Sequence, residues 1–330
     1  MRYSRTVSPL RLLGAAVFAT ALAPPVSLAQ GYPNKALRLI VPFPPGGGVD
    51  FVGRVVGQKL AERLGQQVSV DNRSGANGIV GLQALMAAAP DGYTIAAVSA
   101  GPLAINPHLY AKLPYNTLRD FTPIANMINF PLMLVAHPSL PVKNVKELIA
   151  LAKARPNEIT YSHPGVGNTG HIAGELLNAV GNVKTVGIPY KGTAPSVIAV
   201  LSGEAQLTYS SIPTALPHIR AGRLRALGVG NAKRMPSLPE FPTVAESGLP
   251  GYEAYAWAGM LGPANMPRDI VQRLSRDIVA AINTKEVTDR MLNEGTVPTP
   301  STPEEFTAYM TSELKRWGDV IKATKIKIEQ

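Results

Sequence analysis

Short apolar runs alternate with amphipathic stretches along most of the chain. Val49, Val52, Val56 and Leu60 recur at spacings of three and four, the pattern of one face of a helix. The apolar runs are rich in β-branched residues, and we expect them to form strands. They lie at Ala36–Phe43, Gln67–Val70, Tyr93–Ser99, Glu158–Ser162, Lys184–Tyr190, Ala205–Ser210 and Leu224–Gly230. Regular alternation of strands and helices favours an α/β fold of parallel strands with helices on both faces.

Capping sequences mark the starts of two helices. Asn144 with Glu147 three residues later predicts a helix over Lys146–Ala154. Thr302 with Glu305 predicts a long last helix in the same way. We expect this last helix to run through about Ile321.

Two long segments, Phe121–His137 and Tyr252–Pro263, break the alternation. If both are crossover strands, the chain forms one discontinuous domain, residues 30–130 and 255–330, and one inserted domain, residues 131–254. This division predicts a cleft between domains, where small ligands prefer to bind.

The N-terminus has the features of a secretory signal peptide. Arg2, Arg5 and Arg11 precede the apolar stretch Leu12–Ala23, and Ser27 and Ala29 put small residues at the two positions that a signal peptidase reads. We expect cleavage after Ala29, export and a periplasmic location; a leader that stays attached as an anchor is the alternative. No other apolar run approaches the roughly 18 residues that a membrane-spanning helix needs.

Composition narrows the classes of function. The chain has no cysteine, which excludes disulfides, thiolate metal sites and a cysteine nucleophile. Removing the three arginines of the leader lowers the formal net charge from +10 to +7. The cations are scattered rather than clustered, so nucleic acid is not an expected partner, and the charge favours small anionic ligands. The five histidines show no metal-binding spacing, and we expect no metal and no cofactor.

The first candidate binding motif is the glycine-rich turn Pro42–Asp50, which follows the first strand and opens the first helix. Glycine lets the backbone approach a ligand, and the free N–H groups of a helix start favour an anion. Phe43, Gly46 and Gly47 belong to this turn. Asp50 falls in the first helical turn, where a carboxylate complements the dipole or accepts from an N–H.

A second candidate lies at residues 165–170, which spell G-x-G-x-x-G between a strand and a helix. This spacing is typical of dinucleotide sites, but the acidic residue that such sites need is missing between Glu175 and Glu204. We therefore interpret the turn as a second anion cradle, formed near Asn168 and Thr169.

Further candidates are weaker. Tyr190 and Lys191 end another strand and offer a hydroxyl and a charge, although a buried tyrosine beside a surface lysine is an equal reading. Ser99, at the end of the third strand, begins the segment Ser99–Asn106, which is expected to line the cleft. Trp257 is either a core residue of the return segment or a stacking wall for the ligand.

These motifs, taken together and in order, resemble one family. They include Pro42-Phe43-Pro44-Pro45-Gly46-Gly47, Asp71-Asn72-Arg73, Pro90-Asp91-Gly92-Tyr93-Thr94, Asn106-Pro107-x-Leu109-Tyr110, Pro189-Tyr190-Lys191-Gly192 and Pro250-Gly251-Tyr252-Glu253. The chain is similar to the extracytoplasmic solute receptors of tripartite tricarboxylate transporters, the Bug or TctC type. His163 departs from the family's pattern, because a small polar residue is expected there.

The resemblance implies a two-domain Venus-flytrap fold of type II-like topology, in which each domain is a mixed sheet flanked by helices. It also implies capture of a small carboxylate by backbone and polar groups, delivery to TctA/TctB-like membrane subunits, a monomer and no catalysis. The ligand-binding residues carried over or inferred above are Phe43, Gly46, Gly47, Asp50, Ser99, Asn168, Thr169, His171 and Tyr190. An exported hydrolase or isomerase acting on a carboxylate, and a sensor that docks on a membrane kinase, are the alternatives.

Overall fold

A curled mixed sheet of ten strands is the framework of the part of the chain that the computed structural model describes, Met1 and residues 31–324. The predicted leader and its cut after Ala29 lie outside the described residues. Residues 33–330 group into one unit, and the described part of that unit is the subject below.

Within the described residues, seven strands follow the predicted apolar runs with ends shifted by no more than two residues, two more lie within the predicted crossover segments, and the short last strand was not predicted. They are β1 (Leu37–Val41), β2 (Val68–Asn72), β3 (Thr94–Ser99), β4 (Phe121–Ala136), β5 (Thr160–His163), β6 (Val186–Pro189), β7 (Leu207–Ser211), β8 (Arg225–Val229), β9 (Tyr255–Pro263) and β10 (Val297–Pro298).

Helices connect most of these strands. They are α1 (Gly48–Leu64), α2 (Ile79–Met86), α3 (Asn106–Leu109), α4 (Val145–Ala154), α5 (Thr169–Gly181), α6 (Thr193–Leu201), α7 (Ile212–Arg220), α8 (Arg268–Ile282), α9 (Lys285–Asn293) and α10 (Pro303–Thr324). A 3₁₀ turn at Ala76–Gly78 precedes α2, and a π-helical turn at Gly101–Ile105 precedes α3.

The strand order is β2-β1-β3-β9-β4-β7-β5-β6, with β8 and β10 also paired to β4. Parallel pairs join β1 to β2 and β3, and join β5 to β6 and β7. Strands β4 and β9 run antiparallel to their neighbours. The expectation of mixed sheets flanked by helices is therefore confirmed.

Strand β4 is shared by two parts of this sheet. Its residues Phe121–Pro131 pair with β9, whereas Leu132–Ala136 pair with β7. We call the part with β1, β2, β3, β9 and β10 half A, and the part with β5, β6, β7 and β8 half B. The domain boundaries predicted from the sequence remain a prediction.

Each half has its own buried cluster. In half A, Trp257 and Phe306 pack among the side chains of α10, β3 and β9. In half B, Val197 and Leu216 pack among those of α6, α7 and β4. Trp257 is fully buried, and its indole Nε1 donates to Glu313 Oε2 at 2.9 Å. The core reading of Trp257 is the correct one, and the stacking-wall reading is wrong.

Both predicted capping sequences form. Glu147 N donates to Asn144 Oδ1 at 2.9 Å at the start of α4. Before α10, Glu305 N donates to Thr302 Oγ1 at 3.2 Å, and Thr302 N donates to Glu305 Oε2 at 2.8 Å. Within residues 31–324, no helix is both long and apolar enough to cross a bilayer.

Candidate ligand site

Four helices, α1, α5, α6 and α7, begin around one small cavity between half A and half B. Strands β1, β5 and β7 deliver the chain to α1, α5 and α7, so their carboxyl ends lie beside the same space. This first cavity has a volume of about 30 Å³. Its lining residues are Phe43, Pro44, Gly47, Gly48, Val49, Ser99, Phe130, Leu132, Pro164, Asn168, Thr169, Thr193, Tyr209 and Ser211.

The electrostatic character of the first cavity comes from backbone rather than charged side chains. Among residues 31–324, none that lines this cavity is charged. The residues that precede α1, α6 and α7, namely Gly47, Gly192 and Ser211, make no side-chain cap. The first N–H groups of these helices are therefore left for a ligand or water, and their dipoles favour negative charge. Hydroxyl groups of Thr169 and Thr193 add neutral donors beside them.

Of the predicted residues, Phe43, Gly47, Ser99, Asn168 and Thr169 line this cavity. Ser99 is only 4% exposed and stands at the end of β3 in half A. Asn168 and Thr169 bring the start of α5 from half B. The structure thus brings the two glycine-rich turns together, as the sequence predicted.

Asp50 does not line the cavity, because its carboxylate is used to build the first turn. It accepts from Gly46 N at 3.0 Å, from Asn72 Nδ2 at 2.9 Å and from Arg54 Nε at 3.0 Å. Burial pushes the pKa of Asp50 upward, but the hydrogen bonds from Arg54, Asn72 and Gly46 outweigh it and hold that pKa below its usual value. Asp50 is therefore an ionised support for the turn.

Gly46 is also outside the lining and connects the two halves. Its φ of +85° is one that glycine adopts readily. Its carbonyl accepts from Thr214 Oγ1, on α7 of half B, at 3.1 Å. The first turn is thus tied directly to the opposite half.

Asn168 serves both the cavity and the helix behind it. Its Oδ1 caps α5 by accepting from Gly170 N at 3.0 Å. Its Nδ2 lies 3.4 Å from Asn77 Oδ1 in half A. Asn77 in turn donates to the fully buried Asn106 at 2.8 Å. These three asparagines form a second connection across the cleft.

His171 supports the second turn from behind and lines neither this cavity nor the one described next. Its Nδ1 accepts from Gly167 N at 3.4 Å, and its ring lies 4.5 Å from that of His163, centroid to centroid. Burial, aided by the neighbouring His171, lowers the pKa of His163 to about 3. Burial likewise lowers the pKa of His171. Both imidazoles are therefore neutral at physiological pH.

A second cavity, of about 440 Å³, adjoins the first and shares Phe43, Pro44 and Pro164 with it. Tyr190 lines this second cavity rather than the first. Its hydroxyl is buried away from solvent, and burial together with the nearby Glu204 raises the pKa of Tyr190 to about 12. The hydroxyl that the sequence offered for ligand binding therefore points into half B.

Sequence reasoning missed several lining residues. Thr193 and Ser211 stand at the starts of α6 and α7. The start of α7 could have been predicted from the sequence. The apolar run that ends at Ser210 is followed by Ile212-Pro213, and proline is favoured in the first turn of a helix. Phe130 had no comparable signal, because the pairing of β4 with β9 decides where its side chain lies.

Comparison with known proteins agrees with the resemblance noted in the sequence. BugT of Bordetella pertussis is 35% identical over 321 residues, which cover 97% of this chain and 98% of BugT. A structure described as R. palustris Rpa4515 with adipate has a TM-score of 0.88 at 34% identity and covers 90% of this chain and 99% of that one. MatC from Rhodopseudomonas palustris, with bound malate, has a TM-score of 0.83 at 30% identity and covers 88% and 100%.

These structures have the two-domain fold of periplasmic binding proteins, which confirms the expected Venus-flytrap architecture. The sequence model described as "Tripartite tricarboxylate transporter family receptor" matches residues 52–326. That match spans most of the described fold. The chain therefore belongs to the TctC family of tripartite tricarboxylate transporter receptors.

Proposed function

We propose that the protein is a periplasmic receptor that binds a small organic carboxylate in the first cavity and delivers it to TctA/TctB-like membrane subunits. Four helix starts converge on a cavity whose described lining has no charged side chain, and this observation carries the proposal. Such a site favours an anion and satisfies its oxygens with backbone N–H groups and hydroxyls. The adipate and malate in the related structures are ligands of the same chemical class.

The same proposal includes where the protein acts and in what oligomeric state. The N-terminal leader directs export, cleavage follows Ala29, and the mature receptor acts as a monomer in the periplasm. It performs no reaction. The polar side chains that line the first cavity are hydroxyls and amides, and the nearest imidazoles lie behind the turn, where they support it.

Ligand binding by the two halves is proposed to involve Phe43, Gly47, Ser99, Asn168 and Thr169 directly. Gly46, Asp50 and His171 act by holding the turns in place. Tyr190 contributes its ring to the wall of the second cavity.

A thermal-shift screen of the mature protein against a panel of carboxylates tests the proposal. A ligand that binds only the folded form raises the melting temperature, by an amount set by its concentration relative to Kd. We expect di- or tricarboxylates to stabilise the protein, whereas their amides, which have the same shape without charge, should not. Equal stabilisation by acids and amides, or by neither, would refute carboxylate binding.

A further inference from the structure

The segment Gly75–Gly78 of half A, which carries the 3₁₀ turn before α2, has an unusual backbone. Its four residues all have positive φ, of +145°, +45°, +48° and +88° in chain order. Glycine adopts such angles readily, but Ala76 and Asn77 do so against the steric preference of L-residues. Strained backbone of this kind persists where the surrounding structure fixes it, and it is common at ligand clamps and switch regions.

Contacts within half A fix this segment. Gly78 N donates to Gly75 O at 2.9 Å. Asn77 Nδ2 donates to Asn106 Oδ1 at 2.8 Å, and Asn106 Nδ2 donates back to Asn77 O at 3.3 Å. Asn106 is fully buried at the start of α3. The two amide groups therefore keep one orientation whether or not half B is close to them.

This pair, Asn77 and Asn106, which we call the seat, faces the second glycine-rich turn of half B. A Cβ atom added to Gly167 would lie 3.0 Å from Asn106 Oδ1 and 3.3 Å from Asn77 Nδ2, which is tighter than most side chains allow. Asn168 Nδ2, one residue further on, lies 3.4 Å from Asn77 Oδ1. The backbone of the turn thus rests directly on the two amide groups, and glycine at position 167 makes that approach possible.

The seat lies beside the first cavity rather than in its wall. Neither Asn77 nor Asn106 lines the first cavity, and Asn106 does not line the second either. The turn that rests on the seat leads directly into α5, and Asn168 and Thr169 at that helix start do line the first cavity. The position of the α5 start relative to half A therefore depends on how the turn meets the seat.

We propose that Asn77 and Asn106 are positioning residues, which form a preset seat for the Gly167–Asn168 turn as the two halves close on a ligand. Docking of the turn places the start of α5 against the first cavity, so the anion site is complete only in the closed form. The seat acts on affinity through closure and makes no contact with the bound carboxylate group. The assignment rests on the proposed function, and it names residues that assemble the site.

A double-mutant cycle across the cleft tests the seat. A thermal-shift comparison of succinate, malate and adipate first selects the probe, which is the acid that raises the wild-type melting temperature most. Asn77→Gly keeps the positive φ and removes the amide group, and calorimetric titration with the probe should show binding about fivefold weaker, the equivalent of one hydrogen bond. Gly167→Ala should weaken binding about tenfold or more, because its methyl group would press on Asn106 Oδ1.

The two losses should not be independent. Asn77 Nδ2 holds Asn106 Oδ1 in place, so its removal lets Asn106 yield to the added methyl group. The double variant should therefore lose less affinity than the product of the two single losses. The melting temperatures of the same four proteins without ligand should show no such coupling, because the halves are then apart.

Asn265→Gly is the matched control for Asn77→Gly. Asn265 also has a positive φ, of +61°, but it is exposed and lines neither cavity. This variant should keep the wild-type affinity. Circular dichroism establishes that each variant is folded. If Gly167→Ala does not fold, Asn168→Ala takes its place in the cycle, because it removes the group that faces Asn77 Oδ1.

The outcomes separate the two proposals. Independent losses of affinity, or an equal loss in Asn265→Gly, would overturn the seat while carboxylate binding stands. Equal coupling in the melting temperatures without ligand would also overturn it, since the contact would then belong to the resting fold rather than to closure. If none of the three acids stabilises the wild-type protein, carboxylate binding and the seat fall together.

Discussion

Gly47 and Gly48 are adjacent at the start of α1, yet the space around them differs. A Cβ atom added to Gly48 would lie 2.9 Å from Ser211 Cβ of half B. A Cβ added to Gly47 would find its nearest neighbour, Thr193 Oγ1, at 3.7 Å, an ordinary contact distance. A side chain at Gly48 would therefore collide with half B, whereas one at Gly47 would not.

We predict that Gly48→Ala weakens ligand binding by about tenfold or more, since overpacking costs about 1–3 kcal/mol. The methyl group would keep half A and half B apart. It should not harm the free energy of unfolding of the open form, because alanine favours a helix more than glycine does. Calorimetric titration measures the affinity. Gly57→Ala, in the same helix but lining neither cavity, is the control, and similar losses in both variants would contradict this account.

A second residue-scale prediction concerns acid. The folded-state pKa of His163, about 3, lies below its ordinary value of 6.5, so the unfolded chain takes up the proton first as pH falls. Stability is therefore unaffected by this group above about pH 6.5 and is lost as pH falls from there toward 3. His171, whose pKa is also lowered, acts in the same direction.

We expect His163→Gln to reduce the loss of stability between about pH 7.5 and about pH 5 by about 1–2 kcal/mol. Denaturant unfolding at several pH values measures it. His218→Gln, on α7 and half-exposed, is the control, and the difference between the two variants isolates the contribution of the buried imidazole. If the free energy of unfolding of His163→Gln falls with pH as steeply as that of the wild-type protein, other groups cause the acid sensitivity.

At the scale of elements, the start of α5 combines stability with binding. Asn168 caps the helix through its Oδ1 and also lines the first cavity. Aspartate caps a helix about as well as asparagine, whereas alanine loses about 1 kcal/mol. The two substitutions therefore separate the roles of this side chain.

Asn168→Asp should retain the melting temperature but bind carboxylates at least about tenfold more weakly, because a negative charge would face the ligand. Asn168→Ala should lower the melting temperature and weaken binding less. Thermal unfolding and calorimetry on the two variants provide the measurements. Tighter carboxylate binding by Asn168→Asp would exclude an anion at the start of α5.

The elements themselves were largely predictable from the sequence. The hydrophobic patterns of strands and helices depend only on neighbouring residues, and so do the helix caps at Asn144 and Thr302. Both capping hydrogen bonds form in the structure. The two glycine-rich turns were predictable as well, since the carboxyl ends of strands and the starts of helices meet at one edge. Long-range placement was less accessible. Tyr190 and His171 lie beside the predicted turns, but packing within half B directs the Tyr190 hydroxyl and the His171 ring away from the first cavity.

At the scale of the whole molecule, hydrogen bonds connect each glycine-rich turn to the opposite half. Thr214 Oγ1 donates to Gly46 O, and Asn168 Nδ2 lies within reach of Asn77 Oδ1. Because few such hydrogen bonds join the halves within residues 31–324, the halves can separate into an open form in which the first cavity is accessible. A ligand that contacts both halves would shift the balance toward the closed form by its differential affinity.

We predict that a saturating carboxylate lowers the radius of gyration measured by small-angle scattering. Thr214→Val should weaken binding up to about tenfold, the equivalent of one hydrogen bond, while the ligand-saturated radius stays that of the wild-type protein. The ligand-free protein at equal concentration is the reference. An identical radius with and without ligand, at proven saturation, would indicate a rigid site.

The chain's two tryptophans share one buried carboxylate. Trp257 Nε1 and Trp317 Nε1 donate to Glu313 Oε2 at 2.9 Å and 3.1 Å, and both rings lie in the core of half A. Indole emission is thus a spectroscopic gauge of the buried core of half A. Comparing it with far-UV dichroism during denaturation would reveal whether the halves melt as one cooperative unit, since coincident transitions are the mark of a two-state process.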